Sequence, residues 1–258
     1  MNVSSHTFTL ENPVTVVDTS SNHSTLVLCE HASNHIPSGL HNLGLSTDIL
    51  KSHVAWDPGA LEIALALHKL LNSRLIFSNV SRLAYDCNRP PEATTAIPQK
   101  SEIYCIPGNV DLTEAQKMER VQKIYIPFRD TVISSLRNNI LNFMVTIHTF
   151  TPIFHGKRRS VEIGVLHGND QRLANKLMSN CPGSSPFIIK MNEPYSASDG
   201  VAHSLNLYGE MFNLPTVMLE VRNDLVDSPK KQNQMAQFLA QWINTAFSDF
   251  INTCEVQS

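Results

Sequence analysis

The sequence predicts one α/β domain over residues 25–258, preceded by an N-terminal arm at residues 1–24. The 258-residue chain shows no change of composition that would divide it into two domains. Short apolar runs typical of buried strands alternate along it with segments of helical periodicity. Hydrophobic residues make up 42% of the chain, which is enough for a large core.

The bulk composition argues against several partners. The net charge is −3 and charged residues are only 17%, so no broad basic face is offered to nucleic acid. We find no apolar run near the roughly 20 residues needed to span a bilayer, and no N-terminal secretion signal. The 5 cysteines include no C-x-x-C pair, which is typical of a reducing compartment. We therefore expect a soluble cytoplasmic protein without nucleic-acid or membrane partners.

Polar residues follow the first firm strand directly. Ser24 to Cys29 is a short apolar run typical of a central strand, and an edge strand is expected before it near Val14 to Val17. Glu30, His31 and Ser33 come next along the chain. Because ligands bind at the carboxyl ends of strands in an open α/β sheet, these side chains are candidates by position as well as by type.

Asp57 precedes the first predicted helix, which runs from Ala60 to Leu71 with one apolar face. An aspartate in that place ordinarily caps the helix, with Pro58 at the first helical position. A carboxylate has two oxygens, so a cap role would not prevent Asp57 from binding a second group.

A second polar segment follows the strand expected at Arg74 to Val80. Its charged and amide side chains beside a double proline are too dense to explain as a spacer. They are Arg82, Asp86, Asn88 and Arg89. From Pro91 to Asn109 the chain has no clear period, and we expect a long, lid-like loop there.

A strand from Met144 to Phe150 carries His148 to the end of the sheet, where Pro152 stops the run. The remaining elements are expected as helices at 114–138, interrupted near Pro127, and at 170–179, 200–211 and 230–247, and as strands at 161–166, 187–190 and 216–222. The last of these strands ends in Glu220 and Arg222.

Together the strand ends present the donor set of a mononuclear zinc hydrolase. Catalytic zinc usually takes three protein ligands from His, Asp and Glu and leaves one position for water. His31 and His148 are the first two candidate ligands. Glu220 lies where a carboxylate can take a proton from water and pass it to a leaving nitrogen. The arginines would hold an anionic substrate.

Motifs of other common enzymes are missing from the sequence. It has no G-x-x-x-x-G-K-[ST] loop, no G-x-G-x-x-G after a strand, no H-E-x-x-H helix and no G-x-S-x-G elbow. Cys29 and Cys87 sit in apolar or mixed runs, where a structural thiol is the better interpretation than a nucleophile.

Six motifs carry a resemblance to a known family. They are CEHASNHIP at 29–37, HVAWDPGA at 53–60, SRLAYDCNRP at 81–90, IHTFTP at 147–152, NEPYS at 192–196 and LEVRNDL at 219–225. With them the chain resembles the N-formylglutamate amidohydrolases, distant relatives of the zinc carboxypeptidases and of the succinylglutamate desuccinylase and aspartoacylase group. The resemblance implies a mixed, mostly parallel sheet flanked by helices, one zinc ion, and hydrolysis of the amide bond of an N-acylated amino acid.

The resemblance also implies roles for individual residues. His148 looks like the zinc ligand of its strand, and Glu220 looks like the general base. The implied catalytic set is completed by Arg222 and by Tyr195, which resembles a mobile tyrosine. The implied substrate-binding set is Arg89, Asn88, Arg82, Ser33, Thr149 and Arg159. Asn88 and Arg89 would grip the substrate carboxylate. Of the adjacent Arg158 and Arg159, at most one is expected to face the cleft.

The chain departs from the wider pattern at one metal ligand. Carboxypeptidase-like sites use H-x-x-E, but the third residue after His31 is Asn34, which cannot replace that carboxylate. We assign Asp57 as the second ligand, and the alternatives are Glu30, His35 and His53. Arg82 and Asp86 have a second interpretation as a salt-bridged pair that only shapes its loop.

The expected activity is zinc-dependent hydrolysis of an N-formyl or other small N-acyl amino acid. N-formyl-L-glutamate is favoured, with formate and the free amino acid as products. Two other functions stay open: a zinc carboxypeptidase-like peptidase acting on peptides or cell-wall fragments, and a non-catalytic anion-binding protein with the same fold. The sequence does not determine the acyl group, the amino-acid side chain or the oligomeric state, because specificity depends on pocket shape.

Overall fold

A computed structural model describes residues 8–19 and 23–255. The strands are β1 (Val14–Val17), β2 (Thr25–Cys29), β3 (Arg74–Ser78), β4 (Lys100–Ser101), β5 (Tyr104–Cys105), β6 (Phe143–Phe150), β7 (Ile153–Phe154), β8 (Lys157–Arg158), β9 (Ile163–Leu166), β10 (Ile189–Met191) and β11 (Thr216–Arg222). Seven of them form one sheet in the order β1-β3-β2-β6-β11-β9-β10, while β4-β5 and β7-β8 are separate hairpins.

The sheet is mixed and mostly parallel, as predicted. The pairs β3–β2, β2–β6 and β6–β11 are parallel, and so is the pair β9–β10. β11 and β9 are antiparallel, and so are β1 and β3, which makes β1 an antiparallel edge strand. Residues 1–7 and 20–22 of the predicted arm lie outside the described residues.

Helices cover both faces of the sheet. They are α1 (Thr47–Lys51), α2 (Ala60–Leu70), α3 (Glu114–Arg120), α4 (Ile126–Asn138), α5 (Arg172–Ser179), α6 (His203–Phe212) and α7 (Pro229–Glu255). Apolar residues of α2, α5 and α7 pack in one buried cluster with alternate residues of the central strands, and those of α4 and α6 pack in a second cluster on the other face. No helix in the described part of the chain is long and apolar enough to cross a bilayer.

The predicted long helix at 114–138 is interrupted just before its proline. A π-helical turn at Val121–Tyr125 joins α3 to α4, and Pro127 lies in the first turn of α4. Proline has no backbone N–H to donate to the preceding turn, so a local change of hydrogen-bonding pattern is expected there. Thr113 caps α3 and forms a capping box with Gln116, as its position before the helix predicts.

Asp57 does not cap α2, and that prediction is wrong. The residue before the helix is Gly59, in the left-handed conformation with φ 88, and no side chain caps it. A Cβ at Gly59 would lie 2.8 Å from Cγ2 of Val226, so glycine is required by both conformation and space. The chain therefore turns after Pro58, and the Asp57 carboxylate is free to face the sheet.

The loop predicted from Pro91 to Asn109 contains the β4-β5 hairpin and is anchored at its end. The Asn109 amide donates to the carbonyls of Leu83 and Pro98, 2.8 and 2.7 Å away. The buried guanidinium of Arg120 donates in turn to Asn109 Oδ1 at 2.6 Å. The carboxylate of Glu102, at the hairpin turn, lies 2.8 Å from His53 Nε2 at the edge of the main cleft.

Candidate metal centre and active-site cleft

A cleft of about 750 Å³ lies at the carboxyl ends of the central strands. It brings together most of the predicted site residues: His31, Asp57, Arg82, Asn88, Arg89, His148, Thr149, Arg159, Tyr195 and Glu220. Strand register explains the position of two of them. Glu220 on β11 is paired with His148 on β6, so both side chains project from the same face of the sheet.

Three buried side chains meet at the base of the cleft and form what we call the central triad: His31, Asp57 and His148. Asp57 Oδ2 lies 3.3 Å from Nδ1 of His31 and 2.9 Å from Nδ1 of His148. The two Nδ1 atoms are 3.1 Å apart. One proton can satisfy only one of these pairs, whereas a cation can be shared by all three atoms. Of the four residues considered for the second ligand, Asp57 is the one that joins both histidines.

Each histidine of the central triad has a carboxylate on its other ring nitrogen. Nε2 of His31 lies 2.7 Å from Asp86 Oδ1, a short hydrogen bond. Nε2 of His148 lies 3.2 Å from Glu30 Oε2, a longer ion-pair contact. An outer carboxylate that holds the N–H of one nitrogen leaves the other nitrogen unprotonated and aimed at the centre. This is the arrangement that metal-binding histidines commonly show.

The charges of the cluster are strongly coupled. Burial alone would raise the pKa of Asp57 and of Asp86. Both histidines outweigh it at Asp57, and His31 with Arg82 outweighs it at Asp86, so both pKa values lie below the ordinary range. Burial alone would lower the pKa of His148, but contacts with Asp57 and Glu30 raise it well above its usual value. The cluster therefore favours a positive charge at its centre, which a divalent cation would also supply.

Glu220 presents a buried carboxylate to the cleft. Its Oε2 atom is buried and has no hydrogen-bond partner among the described residues. Burial, opposed by His148 and reinforced by Asp57, raises the pKa of Glu220 to about 7. A carboxyl group with that pKa can accept and return a proton near neutral pH.

Arg82 and Arg222 both form ion pairs with carboxylates of the protein. Arg82 pairs with Asp57 and with Asp86, at 3.3 Å in each case, so the salt-bridged interpretation of Arg82 and Asp86 describes the structure. Arg222 does not line the cleft. Its guanidinium lies 2.7 Å from Asp224 and 3.1 Å from Glu162, a contact that holds β11 to the segment before β9. The structure thus gives Arg222 a position in an ion pair rather than at the reacting centre.

Asn88 and Arg89 both line the cleft, but their side chains differ in how many hydrogen bonds they make within the protein. The Asn88 amide is engaged by the backbone, because it donates to the Val201 carbonyl at 2.6 Å and accepts from the backbone N–H of Ser204 at 3.0 Å. Arg89 lines the cleft, and among the described residues its guanidinium donates only to the Asn88 carbonyl, at 2.9 Å. Asn88 therefore fixes the loop that presents the Arg89 guanidinium.

Thr149 and Ser33 make hydrogen bonds within the protein. The Thr149 N–H donates to Asp57 Oδ2 at 3.3 Å, and its hydroxyl donates to the Pro58 carbonyl at 2.9 Å, so this residue fixes the central carboxylate. The Ser33 hydroxyl accepts from the His35 N–H at 3.1 Å in a local turn, and Ser33 does not line the cleft.

Aromatic and basic groups form the outer wall. Tyr195 and Arg159 stack on one another, with 4.9 Å between the guanidinium carbon and the ring centre. Burial and the nearby Glu220 raise the pKa of Tyr195, so the phenol stays protonated near neutral pH. Arg158 and Arg159 both line the cleft, and the expectation that at most one would do so is wrong. Arg158 ends β8, and the N–H of Arg159 donates to the Pro152 carbonyl across the hairpin at 2.8 Å.

The contacts of Asp86 and Glu30 with the two histidines are not predicted from the sequence. Asp86 is predicted there to pair with Arg82, and Glu30 is a candidate by its position after the strand and an alternative ligand. For Glu30 a signal was present, since it adjoins His31 and a metal-binding histidine commonly has an acceptor on its second nitrogen. Which carboxylate serves which histidine depends on loop geometry that the sequence does not show.

Comparison with known proteins identifies the family of the chain. Residues 23–226 match the family model for N-formylglutamate amidohydrolase. A gene product of Agrobacterium tumefaciens is 43% identical, with a TM-score of 0.89 over 93% of this chain and 96% of that one. N-formylglutamate amidohydrolase from Ralstonia eutropha JMP134 shares the fold at 13% identity, with a TM-score of 0.64 over 93% of this chain and 98% of that one. No match is found among curated proteins. The chain belongs to the N-formylglutamate amidohydrolase family.

Proposed function

We propose that the protein is a zinc-dependent amidohydrolase that removes the formyl group from an N-formyl amino acid, with N-formyl-L-glutamate favoured. The observation that carries the proposal is the central triad at the base of the cleft, with Glu220 in register beside His148. Membership of the family supports the reaction class. The products would be formate and the free amino acid.

The residues present fit a zinc ion. His31, Asp57 and His148 offer two imidazole nitrogens and one carboxylate oxygen, which is the composition of a catalytic zinc site. Asp86 supports His31 from outside by a hydrogen bond, and Glu30 contacts His148. A bound zinc ion would supply Lewis acidity, by which it polarises the amide carbonyl and activates water.

Glu220 would carry the proton. As a carboxylate it accepts a proton from the attacking water, and as a carboxylic acid it donates that proton to the departing nitrogen. Burial raises the pKa of Glu220 to about 7, so both forms are accessible near neutral pH. Arg89, which has no carboxylate partner in the described part of the chain, would hold the α-carboxylate and so orient the amide towards Glu220.

The test is formate release by purified, zinc-loaded protein from a panel of N-formyl, N-acetyl and N-succinyl amino acids and short peptides. The proposal predicts turnover of formyl substrates that a chelator removes and added zinc restores. Turnover of peptides alone would replace it by a carboxypeptidase-like activity. Zinc binding without turnover of any substrate would leave an anion-binding protein.

A further inference from the structure

Arg159 follows the β7-β8 hairpin, and its guanidinium lies among three aromatic rings. The guanidinium carbon is 4.4 Å from the ring centre of Phe154, 4.9 Å from that of Tyr195 and 5.4 Å from that of Phe150. We call these three rings the aromatic cage. They come from β6, from the hairpin and from the segment after β10, so three separate parts of the chain fix one guanidinium. Stacked rings hold the plane of an arginine without using its hydrogen-bond donors.

In the described part of the chain the charge of Arg159 has no carboxylate beside it. One donor of its guanidinium reaches the Thr151 carbonyl at 3.3 Å, and within residues 8–19 and 23–255 no carboxylate forms an ion pair with it. Arg82 and Arg222, in contrast, are each paired with two carboxylates. A half-buried guanidinium that faces a cleft and lacks a carboxylate partner among the described residues is suited to bind an anionic group of a ligand.

We propose that Arg159 is the specificity-determining residue of the cleft and binds the second carboxylate of a dianionic N-acyl amino acid. The proposal rests on the proposed function, in which Arg89 holds the α-carboxylate. The two arginines enter the cleft from different loops, after β3 and after β8, so they can serve two separate anionic groups. A neutral side chain of the same size would leave the Arg159 donors without a charged partner, which selects for the acidic one.

The test compares N-formyl-L-glutamate with N-formyl-L-glutamine in the zinc-loaded wild type and in Arg159→Gln and Arg159→Lys. We expect Arg159→Gln to lower kcat/KM for the glutamate substrate by about 30-fold, mainly through KM, and for the glutamine substrate by less than about 3-fold. Arg159→Lys should recover part of the loss, because it keeps the charge but not the planar fork. Lys157→Gln, which removes an exposed charge from the same hairpin, is the matched control and should leave the preference unchanged.

Two kinetic results would overturn the inference: no preference of the wild type for glutamate, or an equal loss on both substrates in Arg159→Gln. If no formyl substrate is hydrolysed, the proposed function fails, and calorimetric binding of glutarate and butyrate tests the subsite separately. Tighter binding of glutarate that Arg159→Gln abolishes would support the role of Arg159. Equal binding of the two anions to the wild type would contradict it.

Discussion

The centre of the cleft and its outer wall lie in one pocket but are built in different ways. His31 and His148 are buried near strand ends, Asp57 is buried just before α2, and both histidines contact outer carboxylates. Arg89 and Arg159 lie on loops and lack carboxylate partners in the described part of the chain. The comparison suggests that the sheet fixes the reacting groups by mutual contacts, whereas the loops keep unpaired charge for the substrate.

The largest effect on metal binding is expected at Asp57. Asp57→Asn removes the negative charge that lies against both histidines and against Arg82, while nearly keeping the side-chain volume. Zinc affinity should fall by more than the about 100-fold expected for loss of an outer partner. Competition with a chromophoric chelator measures it. Unchanged zinc affinity would mean that the central triad is not the metal centre.

A smaller loss is expected when an outer carboxylate is removed. Asp86→Asn and Glu30→Gln should each lower zinc affinity by about 10- to 100-fold, because each amide keeps an oxygen but loses the negative charge beside the second ring nitrogen of its histidine. Asp86→Asn should have the larger effect, since its contact with His31 is the short hydrogen bond of 2.7 Å and Glu30 makes the longer contact of 3.2 Å. A larger loss of zinc affinity in Glu30→Gln than in Asp86→Asn, measured by chelator competition, would contradict this ranking.

The raised pKa of Glu220 predicts a pH dependence of the metal-free protein. The folded pKa is about 7 against an ordinary value of 4.5, so the folded state holds a proton between these values that the unfolded state releases. Stability should therefore be lost as pH rises from 4.5 to 7, by up to about 3 kcal/mol. Urea unfolding of chelator-treated protein at pH 5 and pH 8 measures the loss, and Glu220→Gln should reduce it. An equal pH dependence in both proteins would show that Glu220 is not the group responsible.

The smallest effect is expected at the aromatic cage. Phe154→Leu removes the ring nearest to the Arg159 guanidinium but keeps an apolar side chain. Because the cation–π contact fixes the guanidinium rather than binding substrate, KM for N-formyl-L-glutamate should rise only about 2- to 5-fold with kcat nearly unchanged. A fall in kcat of the same size as the rise in KM would place Phe154 in the reacting centre instead.

The site residues that could be predicted from the sequence are those that lie near the ends of recognisable strands. His148 and Glu220 each end an apolar run, and apolar runs of that length become central strands whose ends meet at one edge of the sheet. The fold class and the family follow from the same runs and from the motifs around them. Local patterns of this kind need no knowledge of distant contacts.

The errors concern contacts between distant segments. Arg222 ends the same strand as Glu220, but Glu162, 60 positions away in the sequence, draws its guanidinium out of the cleft. Asp57 precedes a helix in the sequence, but crowding by Val226 makes Gly59 the residue before the first turn. The availability of Arg159 depends on three rings from separate elements. The positions of these side chains depend on contacts between distant segments. Local sequence patterns carry no information on such contacts.

The most direct measurement of the central claim is zinc content and formate release in the same preparations of wild type, Glu220→Gln and His148→Ala. If Glu220 is the base and not a metal ligand, Glu220→Gln should keep stoichiometric zinc and lose activity on N-formyl-L-glutamate by at least about 100-fold. His148→Ala should lose both, with retained folding checked by circular dichroism. Full activity in Glu220→Gln, or stoichiometric zinc in folded His148→Ala, would contradict the assignment of base and metal ligand.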